Sequence, residues 1–320
     1  MLESSRRPGW GLIAVAACLP VAISACATTD GGSATGSTAP PGDRQEPTLS
    51  PVVAMKKAQA AAREGDLDTA VRYAKVAADA SPDTEEAYLL WASCCEQRGD
   101  LACAKEAYDA GLAANPQSAT LLRESGLLAL QAGDVETAIE RFEASLSRED
   151  SPETQSDLAF AYLFQGRSEE ADMLSAEVVA EAPDCFTCWM ARAEVLTRLE
   201  AHDEAVDAYQ RAAGLEPEDL DAKAGLAKAL YRAGNAGASL TLFEELVADS
   251  PDDLRLRAQA AQVSMAAGRP ARAVEHLQVV ADALPEDPGV LNALLEAQEA
   301  AGDDAGVAAT RDRLQALDEG

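Results

Sequence analysis

From about residue 50 onward the chain punctuates itself on a fixed period. Prolines stand at Pro82, Pro116, Pro183, Pro217, Pro251 and Pro285, with gaps of 34, 67, 34, 34 and 34; the long gap is two periods less one residue. A second series, Gly65, Gly99, Gly133, Gly166, Gly234, Gly268 and Gly302, keeps the same rhythm, and Glu200 stands where its fifth member would fall. Between these marks lie paired stretches of about 12–14 residues, apolar at helical spacing. Glycine accepts the left-handed backbone that ends a helix, and proline cannot continue one. Each unit therefore predicts two antiparallel helices, A and B. One such hairpin cannot bury its apolar stripes, but stacked neighbours can. Aromatic residues make up only 4% of the chain while alanine abounds, which suits close helix packing and not a sheet core.

The predicted fold is all-α, an α-solenoid of seven full units: 51–84, 85–118, 119–151, 152–185, 186–219, 220–253 and 254–287. Residues 288–320 form a degenerate eighth unit, with Val307 in the small slot of helix B and Arg311 in the bulky one, which reads as a polar cap. The unit that carries most of the pattern contains Trp91, Ala92, Gly99, Ala104, Tyr108, Gly111 and Pro116. Other units place Ala70, Ala138, Ala171, Ala205 and Ala273 early in helix B, and Phe142, Tyr209 and Phe243 four residues later. At this period and with these residues, the chain resembles the tetratricopeptide repeat. The resemblance implies a right-handed superhelix whose A helices line a concave groove that binds protein segments.

The first 50 residues obey other rules. Arg6 and Arg7 precede an uncharged apolar run, Pro8 to Ile23, too short to span a bilayer and interrupted by Pro20. This is the pattern of a secretory leader over 1–25. Ile23, Ser24, Ala25 and Cys26 then resemble the lipobox of bacterial lipoproteins. That resemblance implies cleavage before Cys26 and acylation of its sulfur and amine. Val15 to Cys18 also fits the four-residue pattern, but cleavage there leaves an apolar core of only about seven residues. An ordinary leader with a chance cysteine is the plain alternative. Ala27 follows Cys26, and by the enterobacterial sorting rule the absence of Asp there implies the outer membrane, facing the periplasm. Residues 26–50 read as the lipidated cysteine plus a flexible linker of Thr, Gly, Ser and Pro.

Charge excludes some partners. There are 26 Lys+Arg against 55 Asp+Glu, a formal −29. Removing 1–25 takes away Arg6, Arg7 and Glu3, a net +1, and leaves about −30. Such a chain is not expected to hold nucleic acid through its phosphates, and it is expected to be monomeric by self-repulsion. No phosphate loop, nucleophile elbow or dinucleotide fingerprint occurs, so no enzymatic activity and no cofactor are expected. His202 and His276 have no histidine or carboxylate companion at metal-ligand spacing and read as solvated surface residues. Cys185 and Cys188 form a Cys-x-x-Cys. Haem attachment would need His where Trp189 stands. A structural disulfide at a repeat junction is expected, with a periplasmic redox or metal role as the alternative of another class. Cys94 or Cys95 could reach Cys103, although the family's slot for Cys103 faces solvent.

The family resemblance places slots 2, 5, 9, 12 and 13 of each A helix on the groove. Those slots give an apolar central stripe of Leu127, Leu130, Phe160, Leu163, Phe164, Met190 and Tyr231, expected to be exposed, with Arg198, Lys228, Arg232 and Arg255 beyond it. Across the array they hold six basic residues, the other two being Arg63 and Arg123. The seven acidic ones are Glu86, Glu96, Glu153, Glu194, Asp221, Glu296 and Glu299. A groove near −1 on a chain near −30 implies a partner segment with apolar anchors and some acidic character. The expected role is an envelope scaffold. A pilotin-like assembly factor for a type IV pilus or secretin is the architectural alternative.

Overall fold

The computed structural model describes residues 49–319; the leader, Cys26 and the linker as far as residue 48 lie outside them. Among the described residues there are sixteen helices and no strand, an all-α repeat fold. The helices alternate as A and B: α1 (Pro51–Arg63), α2 (Leu67–Ala80), α3 (Glu85–Gln97), α4 (Leu101–Ala114), α5 (Ala119–Gln131), α6 (Val135–Leu146), α7 (Pro152–Phe164) and α8 (Ser168–Glu181). They continue as α9 (Phe186–Arg198), α10 (His202–Leu215), α11 (Leu220–Arg232), α12 (Ala236–Asp249), α13 (Leu254–Ala266), α14 (Pro270–Ala283), α15 (Pro288–Ala301) and α16 (Asp304–Glu319). Two compact units result. One holds α1 to α5 and the other α6 to α16, and in each every helix packs against its neighbours along the chain.

Every A helix stops in the same way. The seven glycines of the series have φ between 68° and 82°, and Glu200 takes φ 59° in their place, the one non-glycine with positive φ among the described residues. The next residue then donates its N–H five residues back: Asp66 to Ala61 O at 2.9 Å, Ala201 to Leu196 O at 3.0 Å, Asn235 to Leu230 O at 2.8 Å, and likewise in the other turns. This is the six-to-one bond of a Schellman turn, which satisfies an orphan carbonyl and reverses the chain at once. Acidic residues open many helices: the carboxylates of Asp66, Asp100, Asp219, Asp253 and Asp287 accept from backbone N–H groups of the first turn, where the helix dipole also favours them. Six B helices end two residues before a proline of the series; α6 lacks one, and Pro152 opens α7 instead.

The reversal lays helix B on helix A with almost nothing between them. Ala70, Ala104, Ala138, Ala171, Ala205 and Ala273 are all exposed by 1% or less. The sixth repeat has Ser239 there, equally buried, with its hydroxyl donating to Ala227 O at 2.6 Å. Larger side chains fill the space between repeats: Phe243, Leu240 and Leu246 join Ala227, Ala260 and Val263 in one cluster, and Leu277, Leu291 and Leu294 anchor another. His276 is buried within α14, contrary to the sequence expectation, because α14 packs against both α13 and α15. Burial, then the positive field of Arg257, pushes its pKa down, so the neutral ring is favoured.

Two stability outcomes follow from this packing. Glu200→Gly relieves a left-handed side chain and should raise the unfolding free energy by about 1 kcal/mol, whereas Gly234→Ala should lower it by about as much; urea midpoints read both. Glu96 of α3 accepts from the Tyr108 hydroxyl at 2.9 Å, and burial pushes its carboxyl pKa up despite that bond. A carboxyl with a raised folded pKa weakens the fold when ionised, and the penalty fades as pH falls through the folded value toward the unfolded one. Glu96→Gln should therefore raise Tm at neutral pH, and the gain should close when melts are repeated at about pH 4.

Candidate functional site

In the unit of α6 to α16, the A helices bring most of the groove residues together. Phe160 and Phe164, one turn apart on α7, meet edge to face with ring centroids 5.0 Å apart. From α9 the Arg198 guanidinium lies over both rings, 5.2 and 4.9 Å from their centroids, while its Nε sits 3.3 Å from Glu194. The two rings are thus half-buried under a cation and are not the open apolar surface that the slot pattern implies. Met190 packs into the cluster around Ala193, Ala205 and Tyr209, and Tyr231 into the one around Phe243. Leu163 is half-buried on α7. In the other unit, Leu127 is half-buried on α5 and Leu130 is buried, so Leu130 serves the core.

The cationic part is more open. Lys228 and Arg232 lie one turn apart on α11, and neither comes within ion-pair distance of a carboxylate among the described residues, while Arg255 on α13 pairs only with the N-cap Asp253, at 3.2 Å. Lys228 is half-buried, and loss of solvent is the largest influence on it and pushes its pKa down. The fields of Glu194 and Asp221 oppose that shift, and those of Arg232 and Arg255 add to it. Glu194 is already engaged: besides Arg198, it accepts from the Tyr209 hydroxyl at 3.2 Å. Tyr209 reaches it only because Gly225 has no side chain, since a Cβ there would lie 2.3 Å from the ring.

Beyond Arg255 lies a feature that reading for bulky residues misses. A cleft of about 340 Å³ opens between α13 and α15, walled by Ala258, Gln262, Met265, Gly289, Val290, Ala293 and Glu296 and floored by Ala261, Leu277 and Val280. Ala258, Ala261, Gly289 and Ala293 leave room in it between the longer Gln262, Met265 and Glu296. Where α7 holds Phe160, Leu163 and Phe164, α13 holds Gln262, Met265 and Ala266 and α15 holds Glu296, Glu299 and Ala300, so no aromatic residue occupies these slots.

The cysteines take no part in this face's cation cluster or cleft. Cys185 caps α9, its sulfur accepting from the Cys188 N–H at 3.2 Å and lying at bonding distance from Cys188 Sγ. Cys188 is buried against Val178 and Val179 of α8. Cys95 and Cys103 are joined across the first turn of the second repeat, which turns Cys103 inward from the slot expected to face solvent, with Trp91 Nε1 donating to its sulfur at 3.4 Å. Cys94 remains a free thiol, buried, and its pKa is pushed up by that burial. Among the described residues, no three His, Cys, Asp or Glu side chains are grouped to hold a metal ion, and no helix is long and apolar enough to cross a membrane.

Family models described as tetratricopeptide repeat match residues 129–195, 196–263 and 233–297 with one profile and 55–119 and 97–154 with another. The chain belongs to the tetratricopeptide repeat family. A curated relative, the human protein O-mannosyl-transferase TMTC1, is 28% identical over 122 residues, 38% of this chain. The chain spans only 14% of that relative's length. A tetratricopeptide repeat protein from Parabacteroides merdae has a similar structure, with TM-score 0.55 and 17% identity over 78% of this chain and 99% of that one. PilW, a widely conserved type IV pilus biogenesis factor, gives TM-score 0.56 and 18% identity over 65% of this chain and 96% of its own. At such identity these likenesses establish the tetratricopeptide fold alone.

The disulfide at the head of α9 yields a prediction. Replacing Cys185 and Cys188 by Ser keeps a capping acceptor at 185 but removes a short crosslink and puts a hydroxyl into an apolar cluster. The unfolding free energy should fall by about 2 kcal/mol, while affinity for a partner on the A-helix face should not change. Lost binding with unchanged stability would instead mark the pair as functional.

Proposed function

We propose that this protein is a non-catalytic scaffold, held to the cell envelope through Cys26, that binds a segment of another protein along the A-helix face of repeats four to eight. The observation that carries the reading is the pair Lys228 and Arg232: cations on the A-helix face, without ion-pair partners among the described residues, on a chain with twice as many acids as bases. Arg232 and Arg255 are exposed on that face and free to meet a ligand. The anchor rests on the lipobox resemblance and on the linker that follows it. Placement at the outer membrane, facing the periplasm, rests on Ala27. Two or more acyl chains would make the attachment stable, since one alone is marginal.

A second reading, an assembly factor for a type IV pilus, is favoured by the likeness to PilW together with the lipobox. It differs from the first only in naming the partner. The cysteine-based redox reading is the weaker one. Cys188 is buried, and the pair sits in a repeat junction where it caps and crosslinks.

Two experiments test the proposal. Cys26→Ala should leave an uncleaved precursor that no longer partitions as a lipoprotein; a mature product of unchanged mass and detergent partitioning would contradict the anchor. Crosslinking pull-downs from intact cells should recover a partner with the wild-type chain. Recovery should fall both with Phe160→Ala plus Phe164→Ala and with Lys228→Glu plus Arg232→Glu. If both variants fold and keep wild-type affinity, the face is not the binding site.

A further inference from the structure

The cation cluster and the α13–α15 cleft are contiguous. Arg255 and Ala258 lie three residues apart on α13, so they share one helix face, and Ala258 is the first wall residue of the cleft. From Ala258 to Met265 the cleft runs about 10 Å along the helix. Its volume of about 340 Å³ exceeds that of any single side chain, and its walls are mostly aliphatic, with Gln262 and Glu296 the polar groups among them.

The charges nearby are unequal. Lys228, Arg232 and Arg255 stand against Glu194, Asp221 and Asp253, but Glu194 is held by Arg198 and Tyr209, and Asp253 by its N-cap role and by Arg255. Asp221 is therefore the only one of these carboxylates without such a commitment. With Glu194 shared among Lys228, Arg198 and Tyr209, an incoming carboxylate can bond the half-buried ammonium and the two guanidinium groups near it.

We infer that this stretch of the A-helix face takes an acidic partner segment bearing one apolar side chain, with its carboxylates on Lys228, Arg232 and Arg255 and its apolar group in the cleft between α13 and α15. The inference rests on the interaction reading above and names the partner's chemistry. The cations set the register of the segment and the cleft supplies the anchor. Few other contacts are required, because a small number of buried groups carries most interface energy. Attraction at the cations should weaken with salt, as partly exposed pairs do.

The test is selection of a random peptide library displayed on phage against the purified full chain, followed by titration of the selected peptides by fluorescence anisotropy. Selected peptides should combine Asp or Glu with one Leu, Ile, Met or Phe. Their affinity should fall about tenfold or more in Lys228→Glu plus Arg232→Glu and in Ala258→Phe, which fills the cleft. Arg255→Glu, at a side chain 84% exposed, supplies a charge reversal that cannot disturb packing and should give the same direction. Peptides without carboxylates or without an apolar residue, or binding all three variants as well as wild type, would overturn the inference while leaving the interaction reading in place. Failure to enrich any peptide would count against both. If a peptide of residues 27–50 competes for the site, the occupant is the chain's own segment and the partner assignment is overturned.

Discussion

The bond on which the rest of the structure depends is the one that each turn makes from the residue after the left-handed position to a carbonyl five residues earlier. It ends helix A and sends the chain back within a few residues, so helix B lies on helix A wherever a small residue permits. Once that contact is made at alanine, or at Ser239 with its hydroxyl tied to Ala227 O, the hairpin still has apolar stripes that it cannot bury alone. Stacking against the next hairpin is the remaining way to bury them. A low aromatic content is therefore no handicap, because close backbone approach replaces side-chain bulk.

The same geometry separates structure from recognition. Residues of helix B and the inner side of helix A make the core clusters. The remaining side of helix A takes little part in them and varies in chemistry from repeat to repeat. In α7 it carries two rings covered by Arg198, in α11 a lysine and an arginine without ion-pair partners among the described residues, and in α13 and α15 side chains that leave a cleft between them. One scaffold thus offers successive patches of different character along its length, and the excess negative charge of the chain lies elsewhere, much of it at helix N-termini. Several of those carboxylates are structural, since they cap the helices they precede.

Much of the fold was legible because its punctuation is chemical. A left-handed turn selects glycine and a helix stop selects proline, and even the exception at Glu200 could be placed, because the period demanded a left-handed residue there. The cations of the candidate site were legible as well, since charge at a known slot survives folding unchanged. Contacts between repeats were not. Nothing local tells that Arg198 will cover Phe160 and Phe164, that His276 will be buried where α14 packs on its neighbours, or that Cys103 will turn toward Cys95. The cleft was hidden for a related reason: alanine and glycine on a helix read as packing, and only the distance to the next helix shows that nothing fills the space they leave.

The central claim is that a partner lies on the A-helix face of the later repeats. A photo-crosslinking amino acid placed at Gln262, on the wall of the cleft, and in parallel at Gln278, exposed on α14, tests it directly in intact cells. The account predicts a discrete adduct from position 262 and none from position 278. An adduct from 278 with none from 262 would contradict it.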